Sequence, residues 1–210
     1  MKYRYIVIEG NIGAGKTSLA RRMADDLSAR LVLEEFADNP FLPKFYNQPE
    51  RYAFPLELSF LAERFSQLSR EIAMPELFAQ PIISDYFINK CQIFARNNLV
   101  NDEYELFLKL FSLVETQVPR PDLLIFLYQD IEKLQQNIRK RGRAYEQKIT
   151  NEYLQNIQDK YLDFIRLHED LRVIIADTNA LDFVENNAHY ALVKGLLDRD
   201  VPPGITRVTF

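Results

Sequence analysis

Short apolar runs alternating with longer stretches of helical period organise this chain. The first run, Tyr3-Arg4-Tyr5-Ile6-Val7-Ile8, is β-branched and aromatic and stops where glycines replace side chains, so a strand over 2–9 feeds a glycine loop. Past Lys16, residues Leu19, Ala20, Met23, Ala24 and Leu27 recur at helical spacing between charged positions, and the loop therefore opens a helix. Leu31-Val32-Leu33, Pro81-Ile82-Ile83, Leu123 to Leu127 and Val173 to Ala176 are further short apolar runs, each predicting a buried strand. Helical stretches lie between them, the longest over 51–78. Strands separated by helices imply right-handed crossovers, so the chain reads as an α/β sandwich with one parallel sheet of about five strands flanked by helices. No repeat or linker interrupts it, which predicts a single domain over 1–210, and Pro202-Pro203-Gly204 reads as a C-terminal tail.

Composition narrows the chemistry. The 210 residues are 47% hydrophobic and 27% charged, which excludes disorder and supplies a sizeable core. A lone Cys91 excludes a disulfide framework and a Cys-based zinc site, and two histidines, His168 and His189, ill suit a His-rich metal centre or a Ser-His-Asp hydrolase. These three read as packing or surface residues without chemistry. No apolar run approaches a membrane span and the N-terminus enters a strand pattern at once, which predicts a cytoplasmic protein. A net charge of −4 is not that of a surface built for a nucleic acid polymer. Residues 132–143 depart from this balance, with Lys133, Arg139, Lys140, Arg141 and Arg143 against Glu132 alone. Such a run suits either phosphate contact or a solvated helix C-terminus favoured by the macrodipole.

Gly10-Asn11-Ile12-Gly13-Ala14-Gly15-Lys16-Thr17 satisfies G-x-x-x-x-G-K-[ST] between a predicted strand and a predicted helix. Glycines turn successive backbone N–H groups toward a phosphate, the helix N-terminus adds partial positive charge, Lys16 reaches the outer phosphates and the Thr17 hydroxyl can hold Mg²⁺. The donor site therefore runs from Gly10 to Ser18, with Mg-ATP as its ligand. A GTP switch is disfavoured because Asn89-Lys90-Cys91-Gln92 lacks the Asp of a guanine reader. Glu34 and Glu35 stand at the end of the second strand, and strand C-terminal ends face the ligand crevice of open parallel sheets. One carboxylate there suits a base acting on a hydroxyl acceptor.

The phosphate loop, Glu34 running into Asn39-Pro40-Phe41-Leu42, Lys44-Phe45-Tyr46, Phe54-x-x-Glu57 with Arg64, the strand from Pro121 to Leu127, and Arg141-Gly142-Arg143 with Glu146 together resemble the deoxynucleoside kinases. Ser84-Asp85-Tyr86 is similar to the bacterial deoxyguanosine kinase branch. The resemblance covers nearly the whole chain and implies a P-loop kinase sandwich with a short lid at about 137–148. It places Glu34 as the base that takes the proton of the sugar 5′-hydroxyl, Tyr46 and Glu146 on the deoxyribose 3′-hydroxyl, and Arg141 and Arg143 in a lid over the ATP phosphates. It further implies a homodimer.

Glu57 and Arg64, two turns apart, share a helix face. At the position of Glu57 the family commonly has Gln, which offers one donor and one acceptor as adenine or cytosine requires. An ionised Glu offers acceptors only, matching the adjacent N1–H and N2–H₂ donors of guanine, while Arg64 can reach the guanine O6 or N7. Phe36, Phe54 and Phe87 fall where an aromatic ring can stack on a base. Three positions depart from the family. Ser84 and Asp85 replace an acidic-Arg pair, so Asp85 holds Mg²⁺, caps the next helix, or leaves the metal to Thr17 and water. Asn137 replaces a lid arginine, with Arg139 one step away as a substitute on ATP. The expectation is an ATP-dependent kinase of purine deoxyribonucleosides, deoxyguanosine ahead of deoxyadenosine, working in nucleotide salvage. A thymidylate-type monophosphate kinase and a non-catalytic nucleotide-binding module are the alternatives.

Overall fold

The computed structural model describes residues 2–35, 39–72 and 80–210. Six parallel strands form one sheet: β1 (Tyr5–Gly10), β2 (Arg30–Val32), β3 (Ile82–Ser84), β4 (Leu123–Tyr128), β5 (Arg172–Asp177) and β6 (Gly204–Thr209), in the order β2-β3-β1-β4-β5-β6. The helices are α1 (Lys16–Leu27), α2 (Leu42–Asn47), α3 (Pro49–Glu71), α4 (Lys90–Asn98), α5 (Asn101–Glu115), α6 (Ile131–Arg141), α7 (Asn151–Leu167) and α8 (Asn187–Lys194), with a short 3₁₀ turn over Ala144–Lys148.

Period-two alternation divides the central strands between two cores. Ile6, Ile8, Ile125 and Ile174 face one side of the sheet with Leu19 and Met23 of α1, Leu134 of α6 and Tyr190 of α8. Tyr5, Val7, Phe126 and Ile175 face the other, with Leu68 of α3, Phe107 of α5 and Tyr161 of α7. This double covering explains why the inner strands read as continuous apolar runs. Their C-terminal ends open on one crevice, and the chain crosses from the β2/β3 side of β1 to the β4 side there. That is the switch point where open α/β sheets place ligands.

The five expected strands form, within three residues of the expected bounds, and the expected C-terminal tail is instead a sixth strand. β6 pairs in parallel with β5 from Arg172↔Gly204 to Asp177↔Thr209. Its pattern hid it: Ile205, Arg207 and Thr209 are exposed while Val208 is buried, as at a half-solvated sheet edge. The prolines precede the strand and cost it no ladder donor. The longest helix ends at Glu71, and the expectation for 73–78 lies outside the described residues.

Candidate active site

The phosphate loop joins β1 to α1 in a conformation that its glycines permit. Gly13 and Gly15 both have φ of +87°, and a Cβ at Gly13 would lie 2.8 Å from the Leu134 carbonyl oxygen. Two asparagines brace the loop. Asn11 Nδ2 donates to the Leu154 carbonyl at 2.8 Å, and Asn137 Nδ2 donates to the Gly13 carbonyl at 2.9 Å and to Gln129 Oε1 at 3.0 Å. The residue at the missing lid-arginine position thus holds the loop itself. Lys16 Nζ donates to the carbonyls of Gly10 and Asn11, each at 2.9 Å, across the mouth of the loop. Burial and the nearby Lys90 bring its ammonium down to about 8.

Glu34 follows β2 and reaches a cavity also lined by Lys16, Thr17, Tyr46, Glu57, Phe60, Arg64, Asp85, Lys90 and Asn98. Its Oε1 accepts from Arg64 Nε at 2.8 Å and Nη2 at 2.5 Å, and its Oε2 accepts from Lys90 Nζ at 2.6 Å. Burial alone would raise this carboxyl, but the two cations outweigh it and hold Glu34 at about 2. A carboxylate has about four lone-pair sites. Three are taken, so the one that remains is on Oε2. Arg64 is likewise committed, since its Nη1 donates to the buried Cys91 sulfur at 3.1 Å. The expected approach of Arg64 to a base edge is replaced in this arrangement by its grip on Glu34, and Cys91 is that arginine's acceptor as well as a packed residue.

Asp85 ties donor and acceptor sides together. Its Oδ2 accepts from the Thr17 hydroxyl at 2.5 Å and its Oδ1 from the backbone N–H of Glu34 at 2.8 Å. It does not cap α4, which begins after Asn89 without a side-chain cap. Ser84 turns instead onto the Tyr86 carbonyl. Adjacent hydroxyl and carboxylate oxygens are hard donors of the kind Mg²⁺ takes alongside substrate phosphates and water. Among the described residues no group of three or more His, Cys, Asp or Glu side chains can hold a metal alone.

At the far wall Glu57 is 1% exposed. Its Oε1 accepts from Asn98 Nδ2 at 2.7 Å, while Oε2 is buried without a partner. Burial lifts this carboxyl to about 7, more than the Asn98 bond and Arg64 lower it. Over the opening, Glu146 in the 3₁₀ turn accepts from Arg141 at 2.9 and 2.6 Å and from Arg143 at 3.2 Å. Tyr46 stacks on Tyr145 with ring centroids 6.1 Å apart. All five of these lid and sugar-side residues line the cavity, whereas Arg139 is exposed and lies off its wall.

The aromatic expectations fare differently. Phe87 is 2% exposed and meets Phe164 edge to face at 5.7 Å, and Phe54 packs on the same core, so neither lines the cavity. Phe36 lies outside the described residues. The rings present are Phe45, Phe60, Phe94, Tyr46, Tyr145 and Tyr153. Sequence reasoning also missed Lys90 and Asn98. Their signal was the spacing of Lys90, Phe94 and Asn98, four and eight apart on one face of α4, all of which line the cavity. Glu9 was missed too, a fully buried carboxylate at the end of β1 that accepts from Tyr161 at 2.9 Å.

A glycine loop at a parallel-sheet switch point, with an ionised carboxylate facing it across one cavity, defines a P-loop phosphotransferase. The deoxynucleoside kinase family matches residues 6–198, and the chain belongs to that family. It is 35% identical over 190 residues to the deoxyguanosine kinase of Bacillus subtilis (strain 168), covering 89% of this chain and 92% of that protein. It is 29% identical over 204 residues to the deoxyadenosine kinase of Lactobacillus acidophilus, covering 90% and 93%. A structure of the deoxyadenosine kinase from M. mycoides with the products dCMP and dCDP superposes with a TM-score of 0.79, at 23% identity over 92% of this chain and 98% of that one, which shows the shared fold. Among the described residues no helix is long and apolar enough to cross a membrane.

Proposed function

We propose that this deoxynucleoside kinase transfers the γ-phosphoryl group of ATP to the 5′-hydroxyl of a purine deoxyribonucleoside, deoxyguanosine ahead of deoxyadenosine, in cytoplasmic nucleotide salvage. The observation that carries the reading is the state of Glu34: ionised, anchored by Arg64 and Lys90, with one lone-pair site left on Oε2. A neutral sugar alcohol needs an acceptor for its proton; an already ionised phosphate acceptor does not, which disfavours a monophosphate kinase.

In this mechanism the alcohol donates a hydrogen bond to Glu34 Oε2, and its proton passes to Oε2 as the sugar 5′-oxygen attacks the γ-phosphorus and the bond from that phosphorus to the β–γ bridging oxygen breaks, releasing ADP. Lys16 exchanges its loop carbonyls for phosphate oxygens, and backbone N–H groups of the loop cradle the donor. Thr17 and Asp85 would hold Mg²⁺, which neutralises phosphate charge when bound. Arg141 and Arg143 reach charge spread over the transferring group from the lid side, and Tyr46 and Glu146 hold the 3′-hydroxyl. Glu57 supplies acceptors to the base. A homodimer fits the chain as well, since α5 presents Leu106, Leu110 and Leu113 to solvent at spacings of four and three.

The test is a panel of deoxy- and ribonucleosides and nucleoside monophosphates with Mg-ATP, run beside Glu57→Gln. Turnover of deoxyguanosine with a shift toward deoxyadenosine in the variant is expected. Turnover of monophosphates alone would overturn the acceptor, and an unchanged preference would overturn the base reading.

A further inference from the structure

We infer that the protonation state of Glu57 selects the purine: as a carboxylate it accepts from the adjacent N1–H and N2–H₂ of guanine, and as a neutral carboxylic acid it offers the one donor and one acceptor that an adenine edge requires. This deepens the proposed function and rests on its placing of the base beside Glu57.

The geometry fixes where the proton would sit. Asn98 Oδ1 accepts from the Tyr153 hydroxyl at 3.2 Å and from Asn97 Nδ2 at 2.9 Å, which favours the amide orientation seen. In it Nδ2 faces Glu57 Oε1, at 2.7 Å, and keeps that oxygen an acceptor. Oε2, buried and without a partner in the protein, is the atom free to change. A buried acceptor left unmade is costly, and either a proton on Oε2 or a donor from the ligand removes that cost. The acid form gives Oε2–H to adenine N1 while Oε1 takes the N6 amino group; the ionised form accepts at both oxygens.

No cation settles the matter. Facing Glu57 are Arg64 on its own helix, Cys91 and Asn98 on α4, Glu34 beyond β2, Tyr46 of α2 and Tyr153 of α7. Arg64 and Lys90 are both spent on Glu34. Among the described residues no ion pair includes Glu57, whereas Glu34 and Glu146 of the same cavity are each met by two cations. The Glu57 carboxyl, lifted by burial to about 7, then changes state within the ordinary working range.

The experiment measures kcat/KM for deoxyguanosine and deoxyadenosine from about pH 6 to about pH 8.5, where Glu34 stays ionised and cancels from the ratio. The ratio should rise with pH, by about 10-fold per unit where each base takes only one form. Glu57→Gln, with a fixed donor and acceptor, should flatten it and favour deoxyadenosine. Equilibrium binding of each nucleoside without ATP, on the wild-type protein, should follow the same crossing and needs no variant. A flat ratio in the wild type, or the same slope kept in Glu57→Gln, overturns the inference and leaves the kinase reading in place. Absence of turnover with either purine at every pH would overturn that reading instead.

Discussion

Two acids share one cavity and are handled in opposite ways. Glu34 is met by a guanidinium and an ammonium and stays ionised down to about pH 2; Glu57 is more deeply enclosed, accepts a hydrogen bond from one neutral amide, and sits near 7. Enclosure therefore does not decide the charge of a carboxyl here. What decides it is whether cations were brought in with it. In the proposed mechanism the reaction side thus has a charge fixed in advance, and the recognition side has one oxygen left for the ligand to complete.

Glu34→Gln breaks the comparison most severely. On the proposed mechanism it removes the acceptor of the hydroxyl proton, and kcat should fall by about 10²- to 10⁴-fold with the KM for nucleoside little changed, as steady-state kinetics will read. Retained turnover would end the mechanism. Lys90→Met is the sharper probe, because it takes away one of two cations while sparing the acid. A loss of about 10- to 100-fold in kcat is expected, together with an acid limb of the kcat profile moved to higher pH as Glu34 relaxes toward its ordinary 4.5. Misfolding alone would lower the rate without moving that limb.

The smallest effect is on stability and has opposite signs at the two acids. Glu34 is depressed in the folded state, so its contribution is present above about 4.5 and is lost as pH falls toward about 2. Glu57 is raised, so its contribution is present below 4.5 and is lost as pH rises through about 7. Glu57→Gln should accordingly stabilise the ligand-free protein at pH 8 by on the order of 1–3 kcal/mol, a rise of several degrees in Tm that disappears near pH 5. Thermal unfolding at the two pH values checks it. An equal shift at both would mean that charge on Glu57 is not the cause.

Much of this was legible in the residues. The phosphate loop, five of six strands, and the Glu34, Glu57 and Tyr46 placements follow from local pattern and family resemblance, because each depends on neighbours in the chain. Lys90 was not legible as a partner of Glu34, since 56 residues separate them and only the sheet order brings α4 against the end of β2. Arg64 was read toward the base for the same reason: its face was evident, but not that Glu34 waits on that face. Phe87 shows the converse failure, an aromatic in the right neighbourhood whose ring the fold turns into the second core. β6 was hidden by the polar alternation of an edge strand.

One aspartate touches both halves of the chemistry. Because Asp85 grips the Thr17 hydroxyl with one oxygen and the Glu34 main chain with the other, the start of α1 and the end of β2 are pinned to one another before any ligand arrives. In the proposed mechanism that pin presets the spacing at which the two substrates meet, so neither of them has to create it.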